Sequence, residues 1–142
     1  MHTYIDQWII TELVDLDIQD RNYAGTYRWN AALPRNRFNV NLSWERGPHG
    51  AAANVHYTGH YENWSNLWVD GEETDQQMKI PSHTTLDLQY SHGFEKLRNA
   101  TLRIGCNNVF DKDPPLTYST FNEPFHDPRG RFFYIRWQQP IR

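Results

Sequence analysis

The chain has 142 residues, 14 Lys and Arg against 17 Asp and Glu, and a net charge of -3, so its dispersed and mildly acidic charge excludes nucleic acid as an expected partner. Its length supports one domain with a sizeable core, and the single Cys106 excludes an internal disulfide framework and any Cys-based zinc site. Only 38% of the residues are apolar but 15% are aromatic, a balance that argues against disorder and for sheets with one polar face.

No stretch approaches the roughly 18 apolar residues of a membrane helix. The opening run, Met1-His-Thr-Tyr-Ile-Asp-Gln-Trp8, has neither a basic start nor a small-residue cleavage site. If the chain is exported, the signal is therefore expected on sequence preceding it.

Residues 4–12 read as a strand of mixed patterning, and residues 13–36 as a long polar loop broken by Gly25 and Pro34. Residues 38–45 form the cleanest expected strand: Phe38, Val40, Leu42 and Trp44 share one face, and Asn39, Asn41, Ser43 and Glu45 the other. Arg46-Gly-Pro-His-Gly50 is a tight turn by its Gly and Pro. The next strand sets Ala53, Val55, Tyr57, Gly59 and Tyr61 against Asn54, His56, Thr58, His60 and Glu62.

Residues 63–80 are expected to be a second long, acidic loop. A strand follows with Thr84, Leu86, Leu88 and Tyr90 opposed to Thr85, Asp87, Gln89 and Ser91, then a short link over 92–99. The next strand opposes Leu102, Ile104 and Cys106 to Thr101, Arg103, Gly105 and Asn107, and stops at Pro114-Pro115. After a third long loop, the final strand sets Phe133, Ile135 and Trp137 against Tyr134, Arg136 and Gln138.

The alternating runs are near the ~9–11 residues that cross a bilayer at a tilt. The connections alternate long, short, long, short, long. Loop lengths sorted in this way are expected where one end of a barrel carries short turns and the other long loops. Trp44, Tyr61, Tyr90, Phe110 and Trp137 lie near strand ends, where aromatic girdles meet a membrane interface.

Several residues are candidates for chemistry. His56, His60 and Glu62 share a polar face, but four residues of strand separate the imidazoles by about 13 Å, too far for one ion, so no metal site is expected. Asn107 and Asn108 are expected to bond loop backbone. Trp64, Trp68, Tyr118, Phe121 and Phe125 in the long loops are the ligand candidates, because loop aromatics stack on sugar or catecholate rings; packing of loop against loop is the plainer alternative. No nucleophile elbow or ordered triad appears.

Leu102-Arg-Ile-Gly-Cys-Asn-Asn-Val-Phe-Asp-Lys-Asp-Pro-Pro115 resembles a stretch of the C-terminal barrel of TonB-dependent outer-membrane receptors. So do Asn122-Glu-Pro-Phe-His-Asp-Pro-Arg-Gly-Arg-Phe-Phe-Tyr134, Leu33-Pro-Arg-Asn-Arg-Phe38 and Val55-His-Tyr-Thr-Gly-His-Tyr-Glu62, in the same order. The resemblance implies an all-β, antiparallel up-and-down sheet of about six strands, residues 1–142 being part of a transmembrane β-barrel. It implies TonB-driven uptake of a siderophore or similar bulky nutrient across the outer membrane of a Gram-negative bacterium.

Asn39, Asn41, His56, Asp87, Arg103 and Arg136 would then face the lumen, and the opposite face would meet outer-membrane lipid. The family's barrel has about 22 strands around a plug that carries the TonB box, and neither plug nor box is in this sequence. The family usually finishes on an aromatic, whereas this chain finishes Pro140-Ile-Arg142. No catalytic activity and no cofactor are expected. The rival expectation is a soluble carbohydrate-binding β-sandwich or small barrel.

Overall fold

The computed structural model describes residues 1–14, 17–28, 31–115 and 126–140. Their regular structure is β, apart from a 3-10 turn at Glu95–Leu97. In chain order the strands are β1 (His2–Tyr4), β2 (Ile9–Val14), β3 (Asp17–Asn22), β4 (Thr26–Arg28), β5 (Ala31–Ala32), β6 (Asn36–Arg46), β7 (His49–Thr58), β8 (Tyr61–Val69), β9 (Glu72–Ile80), β10 (His83–Phe94), β11 (Ala100–Asn107) and β12 (Phe132–Gln138).

A 6-stranded antiparallel sheet runs in the order β1-β6-β7-β10-β11-β12 and stays open, with β1 and β12 at its edges. The all-β class with an antiparallel sheet of about six strands, expected from the sequence, is therefore the one observed. Contacts divide the chain into two compact units: Met1–Phe38 with Tyr57–His83 and Pro114–Asp127, and Asn39–His56 with Thr84–Asp113 and Pro128–Arg142.

In the second unit the register shows why the alternating sequence makes two unlike faces. Across β11 and β12, Leu102 pairs with Trp137, Ile104 with Ile135 and Cys106 with Phe133. On the other face, Arg103 pairs with Arg136 and Gly105 with Tyr134. β10 keeps the same phase, with Leu88 opposite Cys106, Gln89 opposite Gly105 and Tyr90 opposite Ile104. A slip of one residue would exchange the faces, so the pattern itself fixes the pairing. β6 and β7 join through Gly47 and Pro48, with Gly47 at φ 57°, the sense a two-residue hairpin needs.

The apolar face of this unit is largely uncovered. Leu42 is 65% exposed, Phe133 70% and Ile135 77%, against the burial that such side chains find in a soluble core. Ala51 and Ala53 of β7 lie low between Leu42 and Trp44 on one side and Leu88 and Tyr90 on the other. The short side chains leave a shallow apolar trough of about 840 Å3 there.

The first unit holds the small buried core. Tyr61 and Ile80 pair across β8 and β9 and are almost wholly buried, and Tyr23 and Ala24 are buried as well. β4 runs parallel to β8, and the 4-stranded sheet has the order β5-β4-β8-β9.

Four expectations from the sequence need correcting. Residues 4–12 are not one strand: β1 ends at Tyr4, and β2 starts at Ile9 and pairs with β3. The expected loop over 13–36 contains β3, β4 and β5. Residues 63–80 are a hairpin rather than a loop, because Asp70 and Gly71 both take positive φ, 53° and 86°, in the I′ geometry that joins two strands tightly. β7 stops at Thr58, so Tyr61 is a buried core residue on β8 and not an aromatic at the end of β7.

Candidate functional site

The polar face of the second unit is closed on itself by hydrogen bonds. Asn41 Nδ2 donates to Asn54 Oδ1 across β6 and β7. His56 lies between two partners, Nδ1 at 2.8 Å from Asn39 Oδ1 and Nε2 at 3.0 Å from Asp87 Oδ2. The other carboxylate oxygen of Asp87 accepts from the Asn108 backbone N–H at 2.9 Å. Asn108 takes φ 49°, a left-handed turn that asparagine tolerates. Its side chain clasps the following loop, donating to Lys112 O at 2.9 Å and accepting from Lys112 N at 3.0 Å.

A continuous polar chain thus runs from β6 through β7 and β10 to the turn after β11. A His–Asp pair is also the orienting half of a hydrolytic triad. Here both imidazole nitrogens are already engaged by Asn39 and Asp87, leaving neither to take a proton from a nucleophile. The arrangement orders strands and a turn.

Toward β12 the same face changes character. Arg103 and Arg136 stand directly opposite each other, and neither has a carboxylate partner among the described residues. Like charges so placed repel, which makes this row attractive to an anion. Beside it Tyr134 lies across Gly105 and donates its hydroxyl to Gln89 Oε1 at 3.1 Å. A Cβ at Gly105 would stand 2.6 Å from Tyr134 Cε1, so only glycine leaves room for the ring.

The first unit carries a separate buried polar cluster. His126 and His83 are both buried, their rings 5.0 Å apart and edge to face. His126 Nε2 stands 3.3 Å from Tyr61 Oη. Burial, then the nearby His83 and Arg37, push His126 down to about 4 from the usual 6.5. The ring is therefore neutral at pH 7 and ties its loop to β8 as a hydrogen-bonding group rather than as a cation.

Asn39, His56 and Asp87 are brought into direct contact, Asn41 shares their face, and Arg103 and Arg136 form one cross-strand pair. His60 lies beyond the end of β7, and no cluster of three or more His, Cys, Asp or Glu among the described residues is arranged to hold a metal ion. Of the loop aromatics, Trp64 and Trp68 fall on β8, while Tyr118, Phe121 and Phe125 lie outside the described residues. The His83–His126–Tyr61 cluster was not legible from spacing, because its members are 22 or more positions apart and share no period. Comparison with family models, curated proteins and solved structures returns no match for this chain.

Proposed function

We propose that this chain is part of the C-terminal barrel of a TonB-dependent outer-membrane receptor, taking up a siderophore or similar bulky nutrient. One observation carries the membrane part of this reading. The sheet has a polar face whose groups bond one another and an apolar face left exposed over Leu42, Trp44, Ile104, Phe133, Ile135 and Trp137. A soluble carbohydrate-binding sandwich would bury those same residues against a second sheet.

Lipid is the solvent that makes an uncovered apolar face favourable. β6, β7 and β10, at 11, 10 and 12 residues, reach the ~9–11 that a tilted crossing needs, while β11 and β12 have 8 and 7. The family and the nutrient rest on the motif around residues 102–115.

In this reading Asn39, Asn41, His56, Asp87, Arg103 and Arg136 line a lumen, and the ligand meets Trp64 and Trp68 of β8 together with Tyr118, Phe121 and Phe125. Transport is driven by TonB acting on a plug that these residues do not supply, so the segment contributes wall and selectivity. The experiment is a nitroxide scan in lipid bilayers, with Cys106 replaced by Ser and single cysteines placed at 86–91. Labels at Leu86, Leu88 and Tyr90 should be open to oxygen, and those at Asp87, Gln89 and Ser91 to a water-soluble relaxant. Equal polarity at Leu88 and Gln89 sinks the proposal.

A further inference from the structure

A second cluster lies at the tight-turn end of β7 and β10, on the apolar face. Gly93 N–H donates to Pro48 O at 2.7 Å, and Ser91 Oγ donates to Gly50 O at 3.4 Å. These two bonds bracket His49 and His92 and hold them side by side on adjacent strands. Their Nδ1 atoms are 3.4 Å apart. Tyr90 stands two residues before His92, hence on the same face, and its hydroxyl oxygen is 2.5 Å from His49 Nδ1. Phe94 packs edge to face on the His92 ring at 4.6 Å and limits its rotation.

Hydrogen bonding satisfies this arrangement poorly. An imidazole nitrogen carries either one proton or one lone pair, yet His49 Nδ1 faces two partners at once. A metal ion serves all three atoms. With metal–nitrogen bonds near 2.0–2.1 Å, two ligands of a tetrahedral site stand about 3.3–3.4 Å apart, which is the separation of the two imidazole nitrogens. The Tyr90 oxygen, hydrogen-bonded to His49 Nδ1 at 2.5 Å, has to draw back by roughly 0.8 Å to take its place as a ligand. The site is also reachable, since His49 is exposed and Tyr90 is 40% exposed.

We propose that His49, His92 and Tyr90 form a binding site for a late first-row divalent metal ion, with two imidazole nitrogens, one phenolate oxygen and a fourth position for water. Imidazole donors suit copper, nickel and zinc, and the ordinary affinity order places Cu(II) first. Coordination by the phenolate releases the Tyr90 proton to solvent. Two strands joined by backbone hydrogen bonds hold the donors in place before the ion arrives. The site depends only on the pairing of β7 with β10, and so stands or falls independently of the receptor reading.

The test is titration of the 142-residue chain, in detergent where needed, with Cu(II) and separately with Zn(II). One Cu(II) per chain is expected, with electron paramagnetic resonance showing two coordinated nitrogens and with a visible phenolate-to-copper band. His49→Ala and His92→Ala should each weaken binding by more than the roughly 10–100-fold that loss of an outer-shell partner brings. Tyr90→Phe should abolish the visible band and keep both nitrogens. His60→Ala, beyond the end of β7, should bind as the parent does. Unchanged affinity in His49→Ala or His92→Ala overturns the proposal. So does a parent spectrum with fewer than two nitrogens or no phenolate band, a result that needs no variant to fold.

Discussion

Gly105→Ala tests the packing of the polar face at a single methyl group. The added Cβ would lie 2.6 Å from Tyr134 Cε1 and closer still to the ring's Cζ and hydroxyl oxygen, well inside van der Waals contact. The backbone on either side is tied into β10 and β12 by register, so the ring must swing away. That movement gives up the Tyr134–Gln89 hydrogen bond at 3.1 Å, about 0.5–1.5 kcal/mol. Overpacking adds about 1–3 kcal/mol, and the stiffer unfolded chain returns about 0.4–1.

The net expectation for Gly105→Ala is a loss of about 1–3 kcal/mol, read as a drop of roughly 1 M in the urea midpoint given slopes of about 1–3 kcal/mol/M. Unfolding in detergent, followed by tryptophan fluorescence, is the assay. The decisive comparison is a double-mutant cycle with Tyr134→Ala, which removes the ring and should make Gly105→Ala neutral or mildly stabilising. An equal cost in both backgrounds would refute the account, because the ring would then not be what the methyl meets.

Leu88→Arg should cost about 2–4 kcal/mol in bilayers if the apolar face meets lipid near the midplane, whereas Ser43→Arg on the polar face should change the urea midpoint little. Asp87→Ala removes the acceptor shared by His56 Nε2 and the Asn108 N–H. It should destabilise by about 1–3 kcal/mol and speed amide exchange at Asn108 and Lys112. His126 stays neutral in the fold down to about pH 4 but takes a proton near 6.5 in the unfolded chain. The unfolded state thus binds the extra proton between those values. Stability should be complete above 6.5 and fall as pH drops toward 4, by at most about 1.4 kcal/mol per unit, a slope that His126→Phe should flatten in thermal unfolding. Finally, size exclusion of the chain without detergent should give aggregate; a sharp monomer peak with cooperative unfolding would count decisively for the soluble rival.

The long strands are legible because their pattern has period two. From Phe38 to Trp44 and from Leu86 to Tyr90 every second residue is apolar, and the register follows the same phase. The hairpin of β8 and β9 does carry a local signal. Asp70-Gly71 is the dipeptide that favours a I′ turn, but the acids around it made the stretch look like a loop. The pairing of β4 with β8 is parallel and spans 36 residues from Thr26 to Glu62, so no local pattern could announce it. The same is true of His49 and His92: their meeting depends on strand register across 43 positions, and neither residue stands out where it sits.

The two edges of the large sheet are unlike, and the difference bears on what the sheet is for. β1 contributes only 3 residues, His2–Tyr4, and a very short strand is one way a protein blunts an edge. β12 has 7 residues, reading Phe-Phe-Tyr-Ile-Arg-Trp-Gln from Phe132 to Gln138, with no proline and a single charge at Arg136. Natural edges are guarded by inward charges, prolines or bulges; β12 has the composition of an interior strand and half of its backbone groups face outward from the pairing with β11. In water such an edge beside Phe133 and Ile135, both among the most exposed apolar residues, is a template for aggregation. In a membrane an unpaired backbone group costs several kcal/mol, so the same edge demands a partner strand. Both environments penalise β12 as it stands; in the receptor proposed above, a strand paired to β12 would relieve that penalty and lipid would solvate the apolar face.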